Sequence, residues 1–284
     1  MTTFASQTWS IPGADDESIV GETTFPVGDA RATMIVVHGF KGYLDYGMFP
    51  ALAAAGAAAG CVTHRFNFSH SGMTRDVATF ARPDLFARDT WNRQVADLQA
   101  IDAALDDGTL AGGDLPRLAL GHSRGGVSTL LFLGRHHPAF VGAITVAAPS
   151  SCCRDEAAVR AQFDADGHIV SPSARTGQTL RIERAWLDEQ DADPEGHDLL
   201  RLAATIELPV LVIHGTDDPT VPASCAAEIA SAVGHTAQSV LIDGANHVFN
   251  APNPMPADAE PSEPLAQLLR HMTAFVDEVA RPLR

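Results

Sequence analysis

The sequence predicts an α/β protein with a mostly parallel central sheet and helices on both faces. Three observations carry that prediction. Short β-branched runs alternate along the chain with segments of helical spacing. The strand candidates are apolar almost throughout, as strands covered on both faces must be. The last helix has a single apolar face of the kind that packs on a sheet.

Six runs read as strands: 33–37, 61–66, 117–120, 141–146, 210–213 and 238–242. Between them, 48–59, 91–105, 125–136 and 224–233 have helical spacing. In the final helix, Leu265, Leu268, Leu269, Met272, Phe275, Val276 and Val279 fall on one face. Parallel neighbours need a crossover, so strand–helix–strand order argues for a parallel sheet, with functional groups at the strands' carboxyl ends. The stretch 150–207 breaks the alternation, being rich in charge and poor in strand cores. It reads as an inserted cap with a helix at 156–163, a small hairpin around Gly177 and one or two further helices. The expected division is therefore a core of 1–149 and 208–284 with a cap of 150–207. Prolines at 252, 254, 256, 261 and 264 make 250–264 a loop.

Composition narrows the function. The 284 residues are 45% hydrophobic and 19% charged, a globular balance. Lys and Arg number 19 against 35 Asp and Glu, a formal net charge of -16, which argues against a nucleic-acid partner. Lys41 is the sole lysine, a compositional skew. The first ten residues carry no positive charge and lead into no apolar run, so no export signal is expected and a cytoplasmic location is. The alanine-rich stretch 51–61 is far too short to span a bilayer. Cys61, Cys152, Cys153 and Cys225 have no metal-ligand spacing and read as buried or incidental thiols. Nothing in the sequence fixes the oligomeric state.

Chemistry concentrates after the strand candidates. Gly121-His122-Ser123-Arg124-Gly125 follows the strand at 117–120 and opens a helix. Glycines two residues either side of Ser123 permit a tight strand-to-helix turn that exposes the hydroxyl beside a helix N-terminus. A serine hydroxyl needs a base, and the base an orienting carboxylate. Asp217 and Asp218 lie in the turn after 210–213, and His247 in the turn after 238–242. The order of serine, acid and histidine is thus set, with each partner at a strand's carboxyl end. Oxyanion donors would come from the backbone of 38–42, just after the first parallel strand candidate, with the Phe40 N–H facing the Arg124 N–H. His38 in that segment reads as a structural histidine.

These motifs, H-G-F-K-G, G-H-S-R-G-G, G-T-D-D-P-T-V-P and G-A-N-H, resemble those of the serine hydrolases of the α/β-hydrolase superfamily, in family order from 33 to 248. The resemblance implies a Ser123–Asp218–His247 triad, with the acid taken as Asp218 from its spacing to the valine and Asp217 as the fallback. It also implies oxyanion N–H groups on Phe40 and Arg124, and no metal or organic cofactor. A serine at this turn sets aside the aspartate-nucleophile dehalogenases and epoxide hydrolases of the superfamily. The favoured activity is a carboxylesterase for small acyl or aromatic esters, the compact cap being similar to those of esterases, feruloyl-type ones included. A peptidase or aminopeptidase would use Glu183, Asp188, Glu189 and Asp191 to receive an amino terminus. A thioesterase would set Arg175, Arg181 and Arg184 against a phosphorylated carrier. The remote alternative is a non-catalytic ligand-binding protein on the same scaffold.

Overall fold

The structure, a computed structural model, describes residues 4–153, 156–256 and 258–280. The first three residues of the stretch read for an export signal, positions 154 and 155 of the expected cap, position 257 of the proline-rich loop and the last four residues lie outside it.

In chain order the elements are β1 (Ser6–Pro12), β2 (Ser18–Thr24), β3 (Ala32–Val37), α1 (Phe49–Ala58), β4 (Cys61–Asn67), α2 (Pro83–Ala87), α3 (Trp91–Asp106), β5 (Arg117–His122), α4 (Arg124–His136), β6 (Phe140–Val146), α5 (Glu156–Asp166), β7 (His168–Pro172), β8 (Thr179–Glu183), α6 (Ala185–Ala192), α7 (Leu199–Ala203), β9 (Val210–Gly215), α8 (Ser224–Val233), β10 (Ala237–Ile242) and α9 (Glu263–Val279). Eight strands form one sheet in the order β1-β2-β4-β3-β5-β6-β9-β10. The six strands read from the sequence make its parallel part, from β4 to β10. The α/β architecture is as predicted.

Alternation within β3 shows how one strand serves two cores. Met34 and Val36 join the core under α1 and α9, while Ile35 and Val37 face the core under α3, α4 and α8. On α9, Leu265, Leu268, Met272, Phe275 and Val276 are buried, each contributing about 1.5–3 kcal/mol by leaving water. Its start is fixed by Ser262, whose Oγ accepts the Leu265 N–H at 3.2 Å, and by Pro264 in the first turn.

Two strands were not anticipated. β1 and β2 form an antiparallel hairpin, and β2 pairs antiparallel with β4 at the sheet's edge. Most of β1 is exposed, so it lacks the apolar run that marks the inner strands. The short helix α2 also lies in a stretch the periodicity left unassigned.

Between β6 and β9 the chain forms α5, the two-stranded sheet β7-β8, α6 and α7. The hairpin tip docks on the loop after β4: Phe80 N–H donates to Gln178 Oε1 at 2.8 Å and Gln178 Nε2 donates to Phe80 O at 3.1 Å. Leu180 packs there with Tyr43, Met73, Phe80 and Phe86. Arg175 lies over the rings of Tyr43 and Phe80. At the other end, Glu189 on α6 accepts the Trp91 N–H at 2.6 Å and the Asn92 N–H at 3.3 Å, capping α3. Leu199, Leu202, Ala203 and Ile206 are buried in the α3–α4 core, so the main core continues inside the stretch 150–207. Among the described residues, no helix is long and apolar enough to cross a membrane.

Candidate active site

Ser123 stands between β5 and α4 with φ 53° and ψ −123°, a conformation that non-glycine residues rarely adopt. The turn is held by the Ser123 N–H, which donates to Val146 O at 2.8 Å. The flanking glycines are demanded by space. A Cβ on Gly125 would lie 2.5 Å from the carbonyl oxygens of Val37 and His38, and one on Gly121 would lie 2.4 Å from Gly125 O. Both gaps are far inside van der Waals contact with rigid backbone. Helix α4 thereby sits hard against the end of β3, and the Ser123 side chain is lifted out of the sheet.

The structure brings the three distant positions together. His247 Nε2 lies 3.0 Å from Ser123 Oγ, and His247 Nδ1 lies 2.8 Å from Asp218 Oδ2. The second carboxylate oxygen, Oδ1, accepts the Thr220 and Val221 N–H groups at 2.8 and 2.9 Å, which fixes the plane of the acid. Burial alone would raise the Asp218 pKa. Hydrogen bonds from His214 and His247 and from the Val221 N–H outweigh it and hold the carboxyl well below the ordinary range. Asp218 is therefore ionised wherever the protein is folded near neutrality. Asp217 points elsewhere: it is exposed and its carboxylate accepts from Thr216 Oγ1 at 3.2 Å.

Three neighbours had no role assigned from the sequence. His122 donates from Nε2 to the His247 carbonyl at 2.9 Å, and its ring centroid lies 4.9 Å from that of His247. Burial, reinforced by the nearby His247 ring, pushes His122 down to about 3, so it stays neutral. His214 Nε2 lies 3.3 Å from Asp218 Oδ2 and 3.1 Å from Val221 O, bracing the acid from behind. Asn246 Oδ1 accepts the Val248 and Asn250 N–H groups at 3.0 and 2.9 Å, folding the loop that presents His247. The quoted motifs contain His122 and Asn246, and His214 stands immediately before the third of them, but their parts depend on contacts that spacing does not encode.

His38 has both ring nitrogens engaged. Nδ1 donates to Gly39 O at 2.8 Å and Nε2 accepts the Phe68 N–H at 3.2 Å, so it has no nitrogen free to act as a base. The Gly39 backbone comes close to the serine: a Cβ there would lie 2.9 Å from Ser123 Cβ. Phe40 follows it, and Arg124 is the first residue of α4, where the N–H has no partner within the helix. Both residues thus border the space in front of Ser123, which lines cavities with each of them. The Arg124 side chain is buried. Its Nη2 lies 3.3 Å from Asp89 Oδ2 and its guanidinium 4.5 Å from the Trp91 ring centroid. Burial raises Asp89 to about 6, against the pull of Arg124.

Of the acidic residues considered as receptors for an amino terminus, Asp188 pairs with Arg184, Asp191 with Arg160, and Glu189 caps α3. These carboxylates are spent on the protein's own groups. Of the arginines considered for a phosphorylated carrier, Arg184 pairs with Asp164 at 2.8 Å and Arg175 is stacked as described. Burial pushes the Cys61 thiol up to about 11 and that of Cys152 up to about 12, far from a reactive thiolate.

A family model described as "Alpha/beta hydrolase family" matches residues 34–267. Similar solved structures include the esterase domain of a Rhodothermus marinus protein, with 21% identity and a TM-score of 0.67, covering 98% of this chain and 100% of that one. Est1E from Butyrivibrio proteoclasticus with bound ferulic acid has 15% identity and a TM-score of 0.70, covering 98% and 99%. A thermostable carboxyl esterase from Bacillus coagulans has 12% identity and a TM-score of 0.68, covering 98% and 100%. At these identities the likeness is one of fold. Among curated proteins, none matches the sequence.

Proposed function

Since the chain belongs to the α/β-hydrolase family, we propose that it is a serine hydrolase that cleaves carboxylic esters of small acyl or aromatic substrates. The observation that carries this reading is the unbroken contact from Ser123 Oγ through the His247 ring to Asp218, at 3.0 and 2.8 Å. In this reading, Ser123 Oγ attacks the ester carbonyl carbon while His247 Nε2 takes the hydroxyl proton. Asp218 holds Nδ1–H and stabilises the imidazolium. The Phe40 and Arg124 N–H groups receive the negative charge that develops on the carbonyl oxygen. As the bond from carbonyl carbon to alcohol oxygen breaks, His247 returns its proton to that oxygen and the alcohol leaves. Water then adds to the acyl-enzyme by the same proton route and frees the acid.

The residues 150–207 act in this account as a cap over Ser123, and the setting is cytoplasmic. No metal or organic cofactor enters any step. Similarity in fold to esterases from Rhodothermus marinus, Butyrivibrio proteoclasticus and Bacillus coagulans supports ester over amide chemistry.

The test is hydrolysis of p-nitrophenyl esters of increasing acyl length beside amino-acid p-nitroanilides, with wild type and Ser123→Ala run together. Ester turnover should fall by at least about 10³-fold in the variant. Near-normal ester turnover in Ser123→Ala would sink the assignment, and turnover confined to the anilides would move it to a peptidase.

A further inference from the structure

Two cavities meet at Ser123. The larger, about 420 Å³, runs beneath the stretch 150–207 and is walled by Trp91, Trp186, Ile169, Ile182 and Val221 together with Phe40. The smaller, about 220 Å³, lies on the other side of Phe40 and is lined by the 39–42 loop, Tyr46, His122, His247 and Val248. Among the described residues only Phe40 and Ser123 border both, so the nucleophile and the oxyanion loop form the divide.

Resting on the serine-hydrolase reading, we propose that this divide sorts the two halves of the substrate: a bulky, uncharged, apolar acyl group in the larger cavity and a short alcohol in the smaller. The argument is one of proton transfer. His247 must deliver a proton to the leaving oxygen across a hydrogen bond of about 2.6–3.2 Å. The alcohol oxygen therefore lies on the His247 side, and His247 lines the smaller cavity and not the larger. The acyl group extends the opposite way, into the larger space.

The walls fix the chemistry of that group. Among the described residues they are largely aromatic and aliphatic, with Ser151, Cys152, Cys153 and Thr220 beside them, and the one charged side chain, Arg124, already faces Asp89 at 3.3 Å and stacks on Trp91. A second carboxylate on the acid would compete with Asp89 for that guanidinium and lose its own hydration on burial. The smaller cavity, about 220 Å³ against about 420 Å³, leaves room for a shorter group. Lys41 Nζ donates to Pro172 O at 2.6 Å, tying the oxyanion loop to the end of β7. The substrate class is thus short-alcohol esters of bulky monocarboxylic acids.

The partition is tested with two isomers of equal composition and apolar area, methyl phenylacetate and benzyl acetate. It predicts a kcat/KM at least about 10-fold higher for methyl phenylacetate, the scale on which apolar pockets discriminate. Ser123-dependent turnover that favours benzyl acetate, or treats the two alike, would overturn the partition and leave the serine-hydrolase reading standing. Turnover that survives Ser123→Ala would instead sink that reading. A second variant, Ile182→Trp, narrows the larger cavity from the partly exposed hairpin. It should lower the ratio of methyl phenylacetate to methyl acetate kcat/KM by about 10-fold; an unchanged ratio would contradict the assignment of that cavity to the acyl group.

Discussion

Around Ser123 the fit is between backbones. Gly121 and Gly125 let β5, α4 and the end of β3 approach until no side-chain atom could enter. Where the hairpin β7-β8 and α6 meet the rest of the chain the fit is between side-chain tips and loops: Gln178 on the Phe80 backbone, Glu189 on the first turn of α3, Lys41 on Pro172 O. A backbone fit tolerates almost no substitution and places an atom within tenths of an ångström. A side-chain fit can be rebuilt with other residues while the sheet beneath is unchanged. The part that would perform the chemistry is fixed by the first kind of contact, and the part that would choose the substrate by the second.

Substitutions can break that contrast in turn. The largest effect is expected at the acid: Asp218→Asn should cut kcat by about 10⁴-fold, because an amide cannot hold the imidazole in the required tautomer or stabilise its charge. Asp217→Asn should change it by less than about 10-fold; steady-state kinetics on one ester decides, and the reverse ranking would move the acid. Next comes Gly125→Ala, which forces a Cβ against two carbonyl oxygens at 2.5 Å. It should cost about 3 kcal/mol or more in denaturant unfolding, as overpacking against rigid backbone does. A stability change under about 1 kcal/mol would show that the turn has slack.

A third effect comes from buried histidines spread through the core. Burial lowers His38, His64 and His70 to about 4 and His122 to about 3, so they are neutral in the folded chain and take up protons near pH 6.5 once it unfolds. Burial raises Asp89 to about 6 and Asp97 to about 7, which works in the opposite direction. Four groups outweigh two, so around pH 5 the unfolded chain binds more protons and stability falls as pH drops from 6.5 towards 4. Thermal melts at pH 7 and pH 5 should differ by roughly 5 °C or more, and His64→Gln should make the fall shallower. A melting temperature that rises on acidification would contradict the buried neutral rings.

The smallest effect sharpens the contrast most. Gln178→Ala removes the two hydrogen bonds to Phe80 and should lower stability by only about 1 kcal/mol while changing the relative rates on esters of different acyl size. A drop in melting temperature with a fixed preference profile would mean that the hairpin supports the fold and not the selection.

The same contrast explains what the sequence made legible. Inner strands announce themselves because burial on both faces requires continuous apolar runs, and the turns around Ser123, Asp218 and His247 do so because tight backbone needs particular residues at fixed offsets. The β1-β2 hairpin was missed because its outer strand faces water and alternates only weakly. His122, inside a quoted motif, and His214, one residue before another, had no roles, since each acts on a residue that folding brings beside it: His122 on the carbonyl of His247, His214 on the carboxylate of Asp218. Contacts such as Glu189 to the start of α3 join positions about a hundred residues apart through a single side chain, and no local pattern marks them.

The central claim is that Ser123 is an activated nucleophile, and covalent labelling tests it most directly. Wild type and Ser123→Ala would be treated with a fluorophosphonate and the site mapped by mass spectrometry of the digested chain. The account predicts one adduct, on Ser123, and none on the variant. An unlabelled wild type, or equal labelling of Ser123→Ala, would contradict it.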